Sequence, residues 1–342
     1  MTALRTSNRL LRLAVVGAAA AVFAAGCAPA TPKDAPEATG EYASSYTVPA
    51  ERVLAPLRGT AVEVAPENPS LAVKIDNHEE ARPHYGLNST DLVFEELVEG
   101  GLTRYVAVFQ SSVPETVGPV RSIRPMDPDI ISPMGGLVAY SGGADQFVAK
   151  MRDAPVVNIL DDAGDPYFDR GVDRIAPHNL LLRAQEAVAA HADIPAPQQQ
   201  FAYSIDQGTS SAARLGAPVN SLSLTFSPER FPSWSWNAEA GVYLRSQEGS
   251  ADVGMDGAQH QSTNVVVLKV PVERGDVPFT QLTGTGEAWF SSAGKTVQGS
   301  WAKGTRDEPL RFVDASGFTV QLAPGNTWIE MIPADEGTIV TE

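Results

Sequence analysis

Residues 90–110, "TDLVFEELVEGGLTRYVAVFQ", decide how the fold is read. Two apolar runs flank Gly100-Gly101, and a glycine pair between such runs marks a two-residue β-hairpin, whose loop residues take positive φ. That register places Val93, Glu95, Leu97 and Glu99 on one face with Leu102, Arg104, Val106 and Val108. Arg104 then stands opposite Leu97 and diagonal to both glutamates. The same residues also fit a helix, with Val93, Phe94, Leu97 and Val98 buried and Glu95 and Glu99 one turn apart. Under either reading the two carboxylates share a side. Neighbouring carboxylates repel, which raises one pKa and leaves a proton available near neutral pH. A protonated acid beside an ionised one is what glycoside cleavage commonly uses; the alternative is a solvated acidic face neutralised by Arg104.

Around this stretch, "LAVKI" (71–75), "GLVAYS" (136–141) and "VVNIL" (156–160) predict strands, while "ADQFVAKMRDA" (144–154) and "HNLLLRAQEAVAAHAD" (178–193) predict helices. After Gly208 the texture changes to short alternating or apolar segments such as "SLSLTF", "VYLRSQ" and "NTWIEMIP", separated by Gly, Asn and Pro turns. The expected class is α+β: a mixed α/β domain over residues 70–207, then a smaller all-β domain over 208–342. Tryptophans 234, 236, 289, 301 and 328 fall in the second part, where a hydrophobic core is the expected role and a glycan-stacking surface the alternative.

The N-terminus speaks to location. "MTALRTSNRLLR" carries Arg5, Arg9 and Arg12 without an acid, and "LAVVGAAAAVFAA" is an apolar run too short to span a bilayer, the layout of a secretion signal. Ala24, Ala25 and Gly26 precede Cys27, the chain's only cysteine, and this arrangement resembles the lipobox of bacterial lipoproteins. The resemblance implies a signal peptide over 1–26 and lipidation of Cys27. The protein would be anchored to the membrane through that lipid, on its extracytoplasmic face. An acylated sole cysteine excludes disulfides and thiol chemistry. Residues 27–69, rich in proline and poor in large apolar groups, read as an extended tether. The net charge of −16 argues against nucleic acid as a partner, because that needs a basic surface.

Polar residues gather in three further places. "DNHEEARPHYGL" (76–87) offers Asp76, Asn77, His78 and Arg82 at the end of an expected strand. "GPVRSIRPMDPD" (118–129) sets Arg121 and Arg124 in a loop where paired guanidiniums can clamp a carboxylate or phosphate, unless Asp127 and Asp129 absorb them. "DRGVDRIAPHNLLL" (169–182) places Arg174, His178 and Asn179 before an expected helix N-terminus, a favourable place for an anion. His78, His84 and His178 lack the spacing of a zinc motif, so no metal is expected, and no cofactor motif is present. "DDAGDP" (161–166) lacks calcium-loop spacing, and "YSGG" (140–143) is not a nucleophile elbow.

The succession "VKIDNHEEARPHYGL", "DLVFEELVEGGLTRYVAVFQS", "VGPVRSIRP", "APHNLL", "GTGEAWFSSAGKTVQGSW" and "PGNTWIEMIP" resembles the YerB-like bacterial lipoproteins, a family with a two-part domain of unknown function. The resemblance implies an extracytoplasmic lipoprotein with a mixed N-terminal and a smaller C-terminal domain, and it brings no reaction or ligand. Three functional readings follow. In the first, Arg82, Arg104, Arg121 and Arg124 clamp an anionic cell-wall or envelope component, and Asp76, Asn77, His78 and His178 supply directional hydrogen bonds. In the second, an envelope glycan hydrolase or lyase uses Glu95 or Glu99 as general acid. In the third, the C-terminal domain docks a protein partner in an assembly role.

Overall fold

The computed structural model describes residues 52–342. The N-terminal part contributes β1 (Leu71–Asp76), β2 (Leu92–Leu97), β3 (Thr103–Phe109), β4 (Leu137–Tyr140), α1 (Asp145–Arg152), β5 (Val157–Leu160), β6 (Leu180–Arg183) and α2 (Ala184–Ala189). The C-terminal part contributes β7 (Ser221–Thr225), β8 (Ser233–Asn237), β9 (Val242–Gln247), β10 (Asn264–Val270), β11 (Gly284–Ser292), β12 (Lys295–Lys303), β13 (Arg311–Asp314), β14 (Thr327–Pro333) and β15 (Thr338–Thr341). Sheet predominates, and among the described residues every helix precedes Gly216, which gives the expected α+β class.

The main sheet runs β13-β12-β11-β10-β14-β2-β3-β1-β4-β5. Its centre is the parallel β14–β2 pair, which hydrogen-bonds a strand of the C-terminal part to one of the N-terminal part. The change of sequence texture after Gly208 therefore does not divide the sheet. Strands in the middle of such a sheet are covered on both faces and read as continuous apolar runs; β1 and β3 are buried throughout. On one face Ala72, Leu92, Phe94, Val106 and Val108 pack with Ile130, Met134 and Phe147. On the other, Leu71, Val73, Val93 and Tyr105 pack with Leu222 and Trp234 from a second sheet, in which β9, β8, β7 and β15 are neighbours. Trp234, Trp301 and Trp328 are buried, and Trp236 and Trp289 pack against that core, so the tryptophans are core residues.

Three expectations need correction. The hairpin forms, but its loop is the three-residue turn Glu99–Gly101, with Leu97 opposite Thr103 and Glu96 opposite Arg104. A one-residue slip sends every side chain to the other face. Glu95 therefore faces away from Arg104, and Glu99 leaves the strand altogether. The helix expected from His178 is shorter: Leu180–Arg183 is strand β6, with Leu180 and Leu182 buried, and only Ala184–Ala189 is helical. Strand pairing with Thr116–Val117 and Phe168–Arg170 overrides the helical pattern there. The folded part also begins earlier than residue 70, since Ala55 and Leu57 are fully buried and Leu54 bridges Ala61. The signal peptide, Cys27 and the first part of the tether lie outside the described residues.

Beside the apolar stripe, the first face buries a polar triad. Lys74 Nζ contacts Glu96 and lies 2.7 Å from Asp127 Oδ1. One ammonium cannot balance two carboxylates in a dry site, so burial and the neighbouring Asp127 push Glu96 up to about 8 in spite of Lys74. A pKa raised by folding contributes stability that is complete below the unfolded value, near 4.5, and is lost as pH rises through about 8. Urea denaturation should show stability falling by roughly 2–4 kcal/mol between pH 5 and pH 8.5 from this group. Glu96→Gln should flatten that slope; an unchanged slope in the variant would assign it elsewhere.

Candidate functional site

The C-terminal end of β1, the hairpin turn and the loop carrying Arg121 and Arg124 enclose a cleft of about 230 Å³. Asp76, His78, Glu99, Arg104, Arg121, Arg124 and His178 line it. Sequence reading brings these residues from four separate segments, and the fold gathers them because β1 ends beside the start of β3 and the 118–124 loop bonds to β1. Val120 donates to Leu180 O, Arg121 N donates to Lys74 O, and Asp76 N donates to Pro119 O, which ties the loop to both β1 and β6.

Asp76 is the hub. Its Oδ2 lies 2.7 Å from His178 Nδ1 and 3.0 Å from Arg121 Nε, and its Oδ1 accepts from His78 N at 3.2 Å. Burial works to raise its pKa, but Arg121, His178 and Arg104 hold the carboxylate below its ordinary range. His78 stacks on His178 with ring centroids 4.5 Å apart. On the opposite wall Arg124 Nε donates to Glu99 Oε2 at 2.7 Å, which outweighs burial and holds Glu99 ionised.

Arg104 differs from its neighbours. Its Nη1 donates to Ser122 O at 2.6 Å, and among the described residues no carboxylate forms an ion pair with it. Burial and then the guanidiniums of Arg124 and Arg121 press its pKa down to about 10. Among the lining residues three guanidiniums face two carboxylates, and at the edge Glu80 Oε2 lies 3.4 Å from His178 Nε2. Guanidiniums of this kind can pair with a carboxylate or phosphate.

Other residues expected at the site lie elsewhere. Arg82 donates through Nε to Asn77 Oδ1 and through Nη1 to Glu248 Oε2, both at 2.9 Å, so it points away from Arg104. Asn77 is fully buried and donates to Thr103 Oγ1 at 2.8 Å. Arg174 caps the carbonyl oxygens of Ala81 and Pro83 and lines a separate depression with Arg82. Asn179 Nδ2 donates to Gly171 O at 3.0 Å and holds a turn. Without a helix at His178, no helix dipole acts on this group.

Glu95 and Glu99 do not meet. Glu95 is buried on the second face, where Oε2 accepts from Arg245 Nη2 at 2.6 Å and Oε1 accepts from Thr103 Oγ1 at 2.6 Å. Arg245 also binds Asp252, and its guanidinium lies over Trp328 and Tyr105 at 5.1 and 5.5 Å from the ring centroids. Burial opposes its charge, yet Glu95, Asp252 and Glu330 keep it firmly protonated. Glu330, paired in register with Glu95 and accepting from Trp234 Nε1, is pushed well up by burial and by Glu95. The signal for Arg245 was present in "VYLRSQ", whose alternation puts Tyr243, Arg245 and Gln247 on one inward face. Its partners lie too far along the chain for spacing to reveal them.

Residues 54–195 match the model for the N-terminal domain of a protein family of unknown function, DUF3048, and residues 222–329 match the model for its C-terminal domain. The chain belongs to the DUF3048 family. A relative from Bacillus subtilis (strain 168), YerB, provisionally named a lipoprotein, is 25% identical over 301 residues, covering 83% of this chain and 87% of its own. The crystal structure of YerB protein from Bacillus subtilis shares the fold, with a TM-score of 0.73 and 22% identity across 84% of this chain and 100% of that chain. Within the DUF3048 frame the cleft lies wholly in the N-terminal match, whereas the Arg245 network spans both matches. No helix among the described residues is long and apolar enough to cross a membrane.

Proposed function

We propose that this DUF3048 protein is a lipid-anchored, extracytoplasmic envelope protein that binds a carboxylate- or phosphate-bearing component of the cell wall or envelope in the Arg104 cleft. The observation that carries the reading is Arg104 itself, a buried guanidinium beside two others and without a carboxylate of its own. Keeping such a charge out of water is costly, and an anionic group offsets that cost by binding it directly. A cleft of about 230 Å³ is below the volume of most drug-sized ligand sites and suits one terminal charged group better than a run of sugars. Two features support the anchoring: the residues before Cys27 and the lipoprotein name of the Bacillus subtilis relative.

Calorimetric titration of the mature chain with a muramyl peptide bearing free carboxylates, and separately with glycerol phosphate oligomers, tests the binding. Saturable binding to one of them, weakened by salt and absent for uncharged chitin oligomers, is expected. Equal affinity for the uncharged glycan, or no binding to any probe, would remove the proposal. Release of cleaved fragments during the same incubation would shift the cleft from binding to catalysis. For the anchor, Cys27→Ala is expected to move the protein from the membrane fraction to the soluble fraction; retention in the membrane would contradict lipidation.

A further inference from the structure

A second cluster lies where the two family-matched regions meet. His84 belongs to the loop after β1, and Asp252 and His260 flank a tight loop after β9. Met255 N donates to His84 O at 2.9 Å and joins the two loops, and His260 N donates to Asp252 O at 2.8 Å within the second. One ligating atom from each of His84, Asp252 and His260 lies within 4.8 Å of the other two. All three residues are buried.

The protonation pattern of the rings is fixed from outside the cluster. His84 Nε2 sits 2.8 Å from the main-chain oxygen of Asp76, which can only accept, so Nε2 carries the hydrogen. His260 Nδ1 sits 2.9 Å from Asn88 Oδ1. The Asn88 amide is oriented by Asp256, whose carboxylate accepts from its Nδ2 at 3.3 Å, so His260 Nδ1 is again the donor. The opposite nitrogens, His84 Nδ1 and His260 Nε2, are buried without a hydrogen-bond partner. Asp252 Oδ1 approaches His260 Nε2 to 3.9 Å, while its Oδ2 is taken by Arg245.

Three lone-pair atoms therefore converge in a buried interior with no protein donor among them. Buried polar atoms are normally satisfied, and an orphaned set of this composition calls for a cation. Imidazoles held by an acceptor on the far nitrogen, with a carboxylate completing the set, are the usual surroundings of zinc. Two imidazole nitrogens also favour zinc over magnesium or calcium, which prefer oxygen. We propose that His84, Asp252 and His260 bind a zinc ion that ties the loop after β1 to the loop after β9.

A rival grouping, His78, Glu80 and His178, is weaker. His78 Nδ1 accepts from Glu80 N at 3.2 Å, and His178 Nδ1 is bound to Asp76. His78 Nε2, 3.6 Å from Glu79 Oε2, then carries the hydrogen and offers no lone pair. The proposed zinc touches the cleft only through Asp76, whose carbonyl holds His84 while its carboxylate holds His178.

The test uses the mature chain, stripped with a chelator and titrated with zinc. One equivalent should bind, and the melting midpoint should rise by about 5 °C or more in excess zinc. His84→Gln and His260→Gln should each weaken binding by about 100-fold or more. Because the chain has five histidines, the double variant His78→Gln/His178→Gln leaves only His84, His191 and His260. X-ray absorption on that variant should still show two imidazoles on zinc, a readout that does not depend on whether the His84 variant folds. No bound zinc and no midpoint shift, or loss of zinc in the double variant, would overturn the proposal.

Discussion

Arg245→Met is expected to lower the stability of the protein by about 3–5 kcal/mol, the cost of breaking a buried ion pair from one side. The side chain is fully buried, and methionine occupies comparable space against Tyr105, Trp234 and Trp328. Packing loss is thereby kept small. What remains is the charge: Glu95 and Asp252 would be left facing each other's field without a cation, next to Glu330. The double variant Arg245→Met/Glu95→Gln should recover part of the loss, because one of the stranded carboxylates is gone. Urea denaturation at pH 7 gives both numbers. A single-variant loss below about 1 kcal/mol would mean that the network is neutralised in some other way.

Arg104→Met is expected to do the reverse. Binding of the anionic probe should weaken by about 10- to 100-fold, the worth of a charge-assisted hydrogen-bond pair. Stability should stay level or rise, because burial and then crowding by Arg124 and Arg121 outweigh the attraction of Asp76 and Glu99 for Arg104. Opposite signs in affinity and stability distinguish a binding residue from a structural one. Calorimetry and a thermal melt of the same preparation are sufficient. A melt that falls together with affinity would place Arg104 among the structural arginines, with Arg82 and Arg174.

Much of this fold was legible because strands buried on both faces announce themselves: "LAVKI", "RYVAVF" and "LVAY" are apolar apart from Lys74 and Arg104, and each is a strand. The hairpin was legible from its glycine pair, but its register was not. A loop of two residues and one of three differ by a single position, and only packing chooses between them. That one position separates Glu95 from Arg104 and sends each to its own buried network. "HNLLLR" misled because its leucines suit both periods, and one of the two partners that make it a strand, Thr116–Val117, lies in a distant segment.

The cleft was half legible. Arg104, Arg121, Arg124, Asp76, His78 and His178 could be suspected from local clustering in an acidic chain, and the fold brings them together. Arg82 and Arg174 belong to equally dense clusters, yet they are consumed by Glu248 and by main-chain carbonyls that local sequence does not reveal. His260 and Asp252 gave no sign, because their companion His84 stands at the far end of the folded chain.

On the proposed reading, Arg104 and Arg121 receive the anion together. Side-chain NMR of arginine-labelled protein, titrated with the carboxylate-bearing muramyl peptide and with glycerol phosphate, tests it most directly. The Nε–H resonances of Arg104 and Arg121 should shift together and saturate at the calorimetric affinity, while those of Arg82 and Arg174 stay in place. Shifts confined to Arg82 and Arg174, or no shift at any arginine at saturating probe, would contradict it.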